Sequence, residues 1–219
     1  FGYSVAISDD GSTVIIGANL DRGPNGPSTG SAYVFSRTDG SWSQQAKLTA
    51  DDGDERDHFG RSVAMSSDAT TVLIGARHDA PPDTEFAGAV YVFSWTNGSW
   101  SQESKLTVGE SDSVIVRSTS IAVADNGTTA IVGVSNDHVS RRGQGGSAYV
   151  FSKVDGSWQQ KSELSPAGDD TKDGFGESVA MSSDGMTTIV GTRDHEIPGG
   201  TDDEVDRDDQ YAYVFSRTD

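Results

Sequence analysis

The chain has 219 residues, no cysteine, 34 acidic against 16 basic side chains, and a formal net charge of -18 at pH 7. That charge excludes nucleic acid and anionic membranes as partners, since both are held by clustered Lys and Arg. The lack of Cys removes disulfide and thiolate chemistry, and no apolar run reaches membrane-spanning length, so no membrane insertion is expected within this segment.

Residues 4–8 form the first short β-rich run, closed by the hairpin signal Asp10-Gly11. A second run spans 13–18. After a variable loop a third spans 32–36, and a second hairpin signal, Asp39-Gly40, leads into a fourth at 42–48. The fourth run alternates, which predicts Trp42, Gln44, Ala46 and Leu48 on one face and Ser43, Gln45 and Lys47 on the other. Runs two and three are apolar throughout, so both of their faces should be covered. This gradient predicts a four-stranded antiparallel sheet stacked between two others, with the fourth strand at a half-wet rim, as in a propeller blade.

Shifted by 58 residues, the chain matches itself. Phe1-Gly2, Phe59-Gly60 and Phe175-Gly176 head three copies, and Arg117-Ser118 stands at the remaining start. Trp42, Trp100 and Trp158 keep the spacing, as do Tyr33, Tyr91 and Tyr149, and Gly17, Gly75, Gly133 and Gly191. Hairpin signals recur at Asn97-Gly98, Asn126-Gly127, Asp155-Gly156 and Asp184-Gly185, and only Asp68-Ala69 departs. Such a period marks propellers and solenoids. The reading is an all-β propeller with blades at 1–58, 59–116, 117–174 and 175–219, the last truncated and carrying a six-residue insertion. No stretch has a helical period, and the spacing fits neither WD-type repeats of about 40–45 residues nor kelch repeats of about 50. Both ends fall within the repeat pattern, so a window onto a longer propeller is expected.

These landmarks resemble the FG-GAP repeat, the blade unit of integrin α-subunit propellers and of many microbial surface proteins. The resemblance is carried by Phe1-Gly2 with Gly17-Ala18, by Phe59-Gly60 with Gly75-Ala76, and by the Tyr-Val-Phe-Ser runs at 33–36, 91–94, 149–152 and 213–216. The fuller phrasing is similar to prokaryotic secreted versions. The resemblance implies a seven-bladed ring, of which about four blades are present, and a secreted or cell-surface location. It also implies calcium loops between strands one and two, but here those connections are the short turns 8–11, 66–69, 124–127 and 182–185, so no metal is expected at the family position.

Antiparallel strands place the one–two and three–four turns on one face and the two–three and four–one loops on the other. The latter vary between repeats, and function on repeat scaffolds tends to sit in such variation. Candidate ligand-binding residues are therefore Arg77, His78, Asp79, Asp137, His138, Arg141, Arg142, Arg193, Asp194 and His195, with His58 on the same face. A His/Asp cluster is transition-metal chemistry if its members converge, and Arg141-Arg142 suits a carboxylate or sulfated glycan. Asp51, Asp52, Asp54 and Asp57 are candidates for weak calcium binding, although Asp also serves turns. Asn97 and Asn126 head glycosylation sequons that coincide with hairpin turns.

No catalytic constellation is apparent, and no cofactor is expected. The expected function is a non-enzymatic extracellular binding or adhesion module for a protein or glycan ligand, with an accessory propeller domain of a larger secreted enzyme as the alternative. Of the acidic residues 26 are Asp, and of the basic ones only 5 are Lys, a balance suited to salt-screened, halophilic conditions.

Overall fold

The computed structural model of the protein describes residues 1–23, 25–79, 88–107, 118–135, 146–166, 174–192 and 211–217. Within them the chain forms four separate sheets and no helix. The first holds β1 (Ser4–Ile7), β2 (Thr13–Ala18), β3 (Ser31–Thr38) and β4 (Ser41–Leu48). The second holds β5 (Phe59–Met65), β6 (Thr71–Ala76), β7 (Ala89–Thr96) and β8 (Ser99–Thr107). The third holds β9 (Ser118–Val123), β10 (Thr129–Ser135), β11 (Ser147–Val154) and β12 (Ser157–Leu164). The fourth holds β13 (Ser178–Met181), β14 (Thr187–Gly191) and β15 (Ala212–Ser216). Strands pair antiparallel in chain order, and β1, β5, β9 and β13 neighbour one another in sequence. First strands thus gather together while fourth strands lie outermost, the arrangement of propeller blades.

Two chemistries of turn connect the strands. At the three–four turns both central residues are left-handed: Asp39 (φ 50°) with Gly40 (φ 80°), and likewise Asn97-Gly98 and Asp155-Gly156. That is the two-residue hairpin the sequence signals. The one–two turns differ, because only their last residue is left-handed, as at Gly11 (φ 66°). Here Ser8 Oγ donates to Asp10 Oδ1 at 2.7 Å and the Ser12 amide to the same oxygen at 2.9 Å. Ser66 with Asp68 and Ser182 with Asp184 repeat the bond. Ala69, the departure from the Gly pattern, takes the same conformation (φ 56°) at a cost of about 1–2 kcal/mol.

The fourth strands correct the alternation expected of them. Val34 pairs with Ala46 but Phe35 pairs with Gln44, so Gln45 is an extra residue, a β-bulge. Ala46 and Leu48 therefore share a face with Val34 and Ala32, whereas Trp42 and Gln44 turn to the opposite face with Arg37 and Phe35. The bulge recurs one period on at Glu103 and again at Lys161.

Each interior sheet consequently has an aliphatic face and an aromatic one. The aliphatic face of the first blade (Ile15, Val34, Leu48) packs on the aromatic face of the second (Phe59, Tyr91, Phe93). Leu73, Val92 and Leu106 then meet Tyr149 and Phe151 of the third blade. Ile131 and Val150 meet Phe175, Tyr213 and Phe215 of the fourth. β6 is buried along its whole length, whereas β13, β14 and β15 alternate between covered and exposed positions.

Candidate binding face

The described part of the variable-loop face centres on the junction of the first two blades. The four–one loop runs from Ala50 to His58 and is stitched to the two–three loop of the first blade. Arg56 N donates to Pro27 O, His58 N to Ser28 O and Phe59 N to Thr29 O, at 3.2, 3.1 and 2.9 Å. Holding this course requires left-handed backbone at two non-glycine positions, Arg56 (φ 72°) and His58 (φ 60°). Next, Phe59 pairs with Ala76 and Ser62 with Gly75, so Gly60 and Arg61 are extra residues that bend β5 at its start.

The bend brings His58 and His78 together. Their ring centroids lie 4.6 Å apart at a tilt of 38°, with His78 N donating to Asp57 O at 3.1 Å and Arg61 N to His58 O at 3.1 Å. Burial, Arg61 and Arg77 push the His58 pKa down. Burial, then His58 and Arg77, push His78 down to about 4. Both imidazoles are therefore neutral near pH 7, each able to donate and to accept. The Arg61 guanidinium lies 4.3 Å over the exposed Tyr3 ring. The face so built offers two neutral imidazoles, an arginine and an aromatic ring.

Beneath it sits a polar network that the sequence reading did not find. The Tyr91 hydroxyl lies 2.8 Å from Asp52 Oδ1 and 2.5 Å from Asp79 Oδ2, and Lys105 Nζ lies 2.6 Å from Asp52 and 2.8 Å from Asp79. Burial works against the Lys105 charge, but the two carboxylates more than offset it and its pKa is raised. Burial and Asp79 hold Tyr91 protonated as a donor. The first blade repeats the motif with Asp21, Tyr33 and Lys47. The signal was present in the sequence, because Tyr33, Asp21 and Lys47 recur 58 residues on as Tyr91, Asp79 and Lys105. In the third blade Glu163 stands at the lysine position, 3.4 Å from the Tyr149 hydroxyl.

The candidate residues therefore divide. Arg77 and His78 join His58 at the face, whereas Asp79, only 5% exposed, turns inward to Tyr91 and Lys105. Asp137, His138, Arg141, Arg142, Arg193, Asp194 and His195 lie outside the described residues. Of the acidic loop, the Asp51 amide donates to Gln102 Oε1 at 3.1 Å, and Asp52 is paired with Lys105. Asp57 is buried and accepts the Asp54 amide at 2.5 Å. Burial, then Asp79 and Asp54, push the Asp57 carboxyl up to about 6. Among the described residues no group of three His, Asp or Glu is placed to hold a metal ion. Asn97 occupies a left-handed turn position, and Asn126 Oδ1 accepts both the amide and the hydroxyl of Thr128.

Fold and face together define a β-propeller, three of whose four repeats open on a Phe-Gly head. The FG-GAP repeat model matches residues 1–35, 42–93 and 158–215, well over half of the chain, and the protein belongs to that family. Among solved structures the chain is similar to Kuenenia stuttgartiensis hydrazine synthase, at 13% identity and a TM-score of 0.56 over 85% of this chain and 48% of that one. It is also similar to the Pseudomonas aeruginosa periplasmic gluconolactonase PpgL, at 14% identity and a TM-score of 0.51 over 81% of this chain and 46% of that one. Such low identity shows a shared fold. The chain spans about half the length of either structure, and its four sheets fit four blades of a larger propeller. No curated protein matches the sequence.

Proposed function

We propose that the chain is a non-enzymatic binding module of the extracellular or periplasmic space, presenting one propeller face to a protein or glycan ligand. The observation that supports this most is the contrast between the two loop faces. The one–two and three–four turns close on themselves through Ser–Asp hydrogen bonds and left-handed residues, and they repeat from blade to blade. The opposite face gathers His58, His78, Arg61 and Tyr3, groups that recognise polar ligands. Halophilic conditions accord with the composition. A glycan array with neutral, carboxylated and sulfated members tests the reading. The expected result is retention of a subset of glycans, reduced about tenfold by His58→Ala or Arg61→Ala, a loss of about 1.4 kcal/mol. Asp39→Asn, in a turn on the other face, should leave binding intact. Equal losses from both faces would refute the assignment.

The second reading is an accessory propeller domain of a larger secreted enzyme. It is raised by the similar folds of two enzymes, hydrazine synthase and a periplasmic gluconolactonase, of each of which this chain covers about half.

A further inference from the structure

Trp95 stands outside the period that places the other three tryptophans. At its position the first, third and fourth blades carry Arg37, Lys153 and Arg217. All four are held alike, each donating its amide to the carbonyl just before the second strand of its own blade. The scaffold therefore does not call for an indole here. Trp95 is nevertheless 40% exposed, and it lies on its cross-strand partner Trp100 with ring centroids 5.6 Å apart at 54°. Trp100 packs in turn on the cluster shared by the first two blades, so the pair is fixed from below.

The wall opposite the indoles belongs to the first blade. Strand alternation puts Ser36 on the face of Val34, and the register sets Ser43 beside it. The bulge adds Gln45, whose Nε2 donates to Ser43 Oγ at 2.8 Å. The next junction shows the same positions closed. There Glu103 is the bulge residue, Lys153 stands at the place of Trp95, and their ion pair at 2.5 Å ties the second blade to the third. Ser94, the equivalent of Ser36, donates to the same carboxylate. Between the first and second blades Gln45 and Trp95 take the places of that pair, and both are exposed. The result is an uncharged cleft at the rim, beside the three–four turns, with an aromatic floor and a wall of hydroxyls and an amide.

We propose that this cleft binds a neutral pyranose unit of a glycan, as a second site apart from the variable-loop face. The C–H bonds on one face of a pyranose carry slight positive charge, which suits the negative π face of an indole. Its hydroxyls need partners that both donate and accept, and Ser36, Ser43 and Gln45 supply them. An apolar lining with a few placed polar groups is the make-up of a small-ligand site. Charge selects within the class, because the chain carries -18 and Trp95 takes the place of the cation found in the other blades. A sulfated or carboxylated sugar would be repelled there. The indole pair also steadies its own hairpin through cross-strand contact. That contact accounts for neither the open face of Trp95 nor Gln45 in the place of Glu103.

Titration with cellotetraose, laminaritetraose and chitotetraose, followed by calorimetry and by the indole N–H resonances, tests the site. At least one sugar should bind saturably and move the Trp95 resonance. Trp95→Phe keeps a ring and should retain most of the binding, whereas Trp95→Ala should weaken it about tenfold. Gln45→Glu with Trp95→Lys rebuilds the ion pair of the next junction, so this variant should fold, as circular dichroism will check, and should no longer bind. Asp155→Asn, in the equivalent turn of the third blade, should bind like the parent. No saturable response to any of the three sugars would overturn the proposal, as would undiminished binding by the Gln45→Glu, Trp95→Lys variant. A response to a proline-rich peptide and to none of the sugars would overturn it too, since extended Pro-rich segments also dock on aromatic grooves.

Discussion

Asp57 and Asp79 sit within one loop cluster yet carry opposite consequences for stability. Asp79 is buried but compensated by Lys105 and Tyr91, whereas Asp57 is buried, accepts the Asp54 amide and meets repulsion from Asp79 and Asp54. A carboxyl near 6 when folded and near 3.9 when unfolded binds its proton more tightly in the folded state. Its contribution is full below about pH 4 and is lost as pH rises through about 6. Asp57→Asn keeps an oxygen for the Asp54 amide and removes the charge. It should therefore stabilise the protein by about 1–2 kcal/mol at pH 7.5, a rise of about 3–6 °C in Tm. The gain should fade below pH 4, and melting curves that stay a constant distance apart from pH 4 to 8 would refute the account. His78, held near 4, adds stability above pH 6.5 that is lost on acidification, but it does so equally in both proteins and cancels from the difference. This site was legible only in outline. The loop-variation argument located Arg77 and His78, but which Asp would be solvated and which buried depends on Tyr91 and Lys105 reaching it from neighbouring strands. The stacking of His58 on His78 depends on the bend at Gly60-Arg61, which no local spacing announces.

At the scale of the element, the period legibly placed every described strand, because the Gly turns and aromatic strands recur wherever a blade must close and pack. The bulge at Gln45, Glu103 and Lys161 was not legible. An extra residue leaves the polar-apolar pattern of an exposed strand almost unchanged, and the faces are settled by the partner strand. It is nevertheless what turns Trp100 toward the first blade while Leu106 faces the third. One tight joint between blades is a glycine shelf, where the Gly60 and Gly176 carbonyls abut Gly17 and Gly133. Gly133→Ala would drive a Cβ into the Gly176 carbonyl and the Val179 side chain, and backbone cannot yield as a side-chain tip can. Overpacking of that kind costs about 1–3 kcal/mol, so Tm should fall by about 3–9 °C. Gly191→Ala meets chiefly the Ser178 hydroxyl, which can rotate away, and should cost under about 1 kcal/mol. Equal losses at the two positions would mean that the shelf is no part of the interblade joint.

For the whole molecule, stability is a sum over stacked sheets, each contacting only its neighbours, with a long-range charge term laid across all of them. The three clusters of buried side chains are all interblade, so each sheet is held mainly by its neighbours rather than by a core of its own. The charge term opposes every contact at once. Three of the five lysines are already engaged, with Lys47 on Asp21, Lys105 on Asp52 and Asp79, and Lys153 on Glu103. The excess of 34 acidic over 16 basic groups is therefore felt as self-repulsion. Raising salt from about 0.1 to 1 M shortens the Debye length from about 10 to about 3 Å and removes most of that repulsion. The same salt weakens exposed ion pairs, but these are worth only about 0–1 kcal/mol each, so repulsion should dominate the balance. The expected outcome is a Tm that climbs steeply with KCl up to about 1 M and then flattens. A rise that stays linear to several molar would point to salting-out of apolar surface instead. A Tm indifferent to salt would show that the carboxylates are spaced widely enough for water alone to shield them.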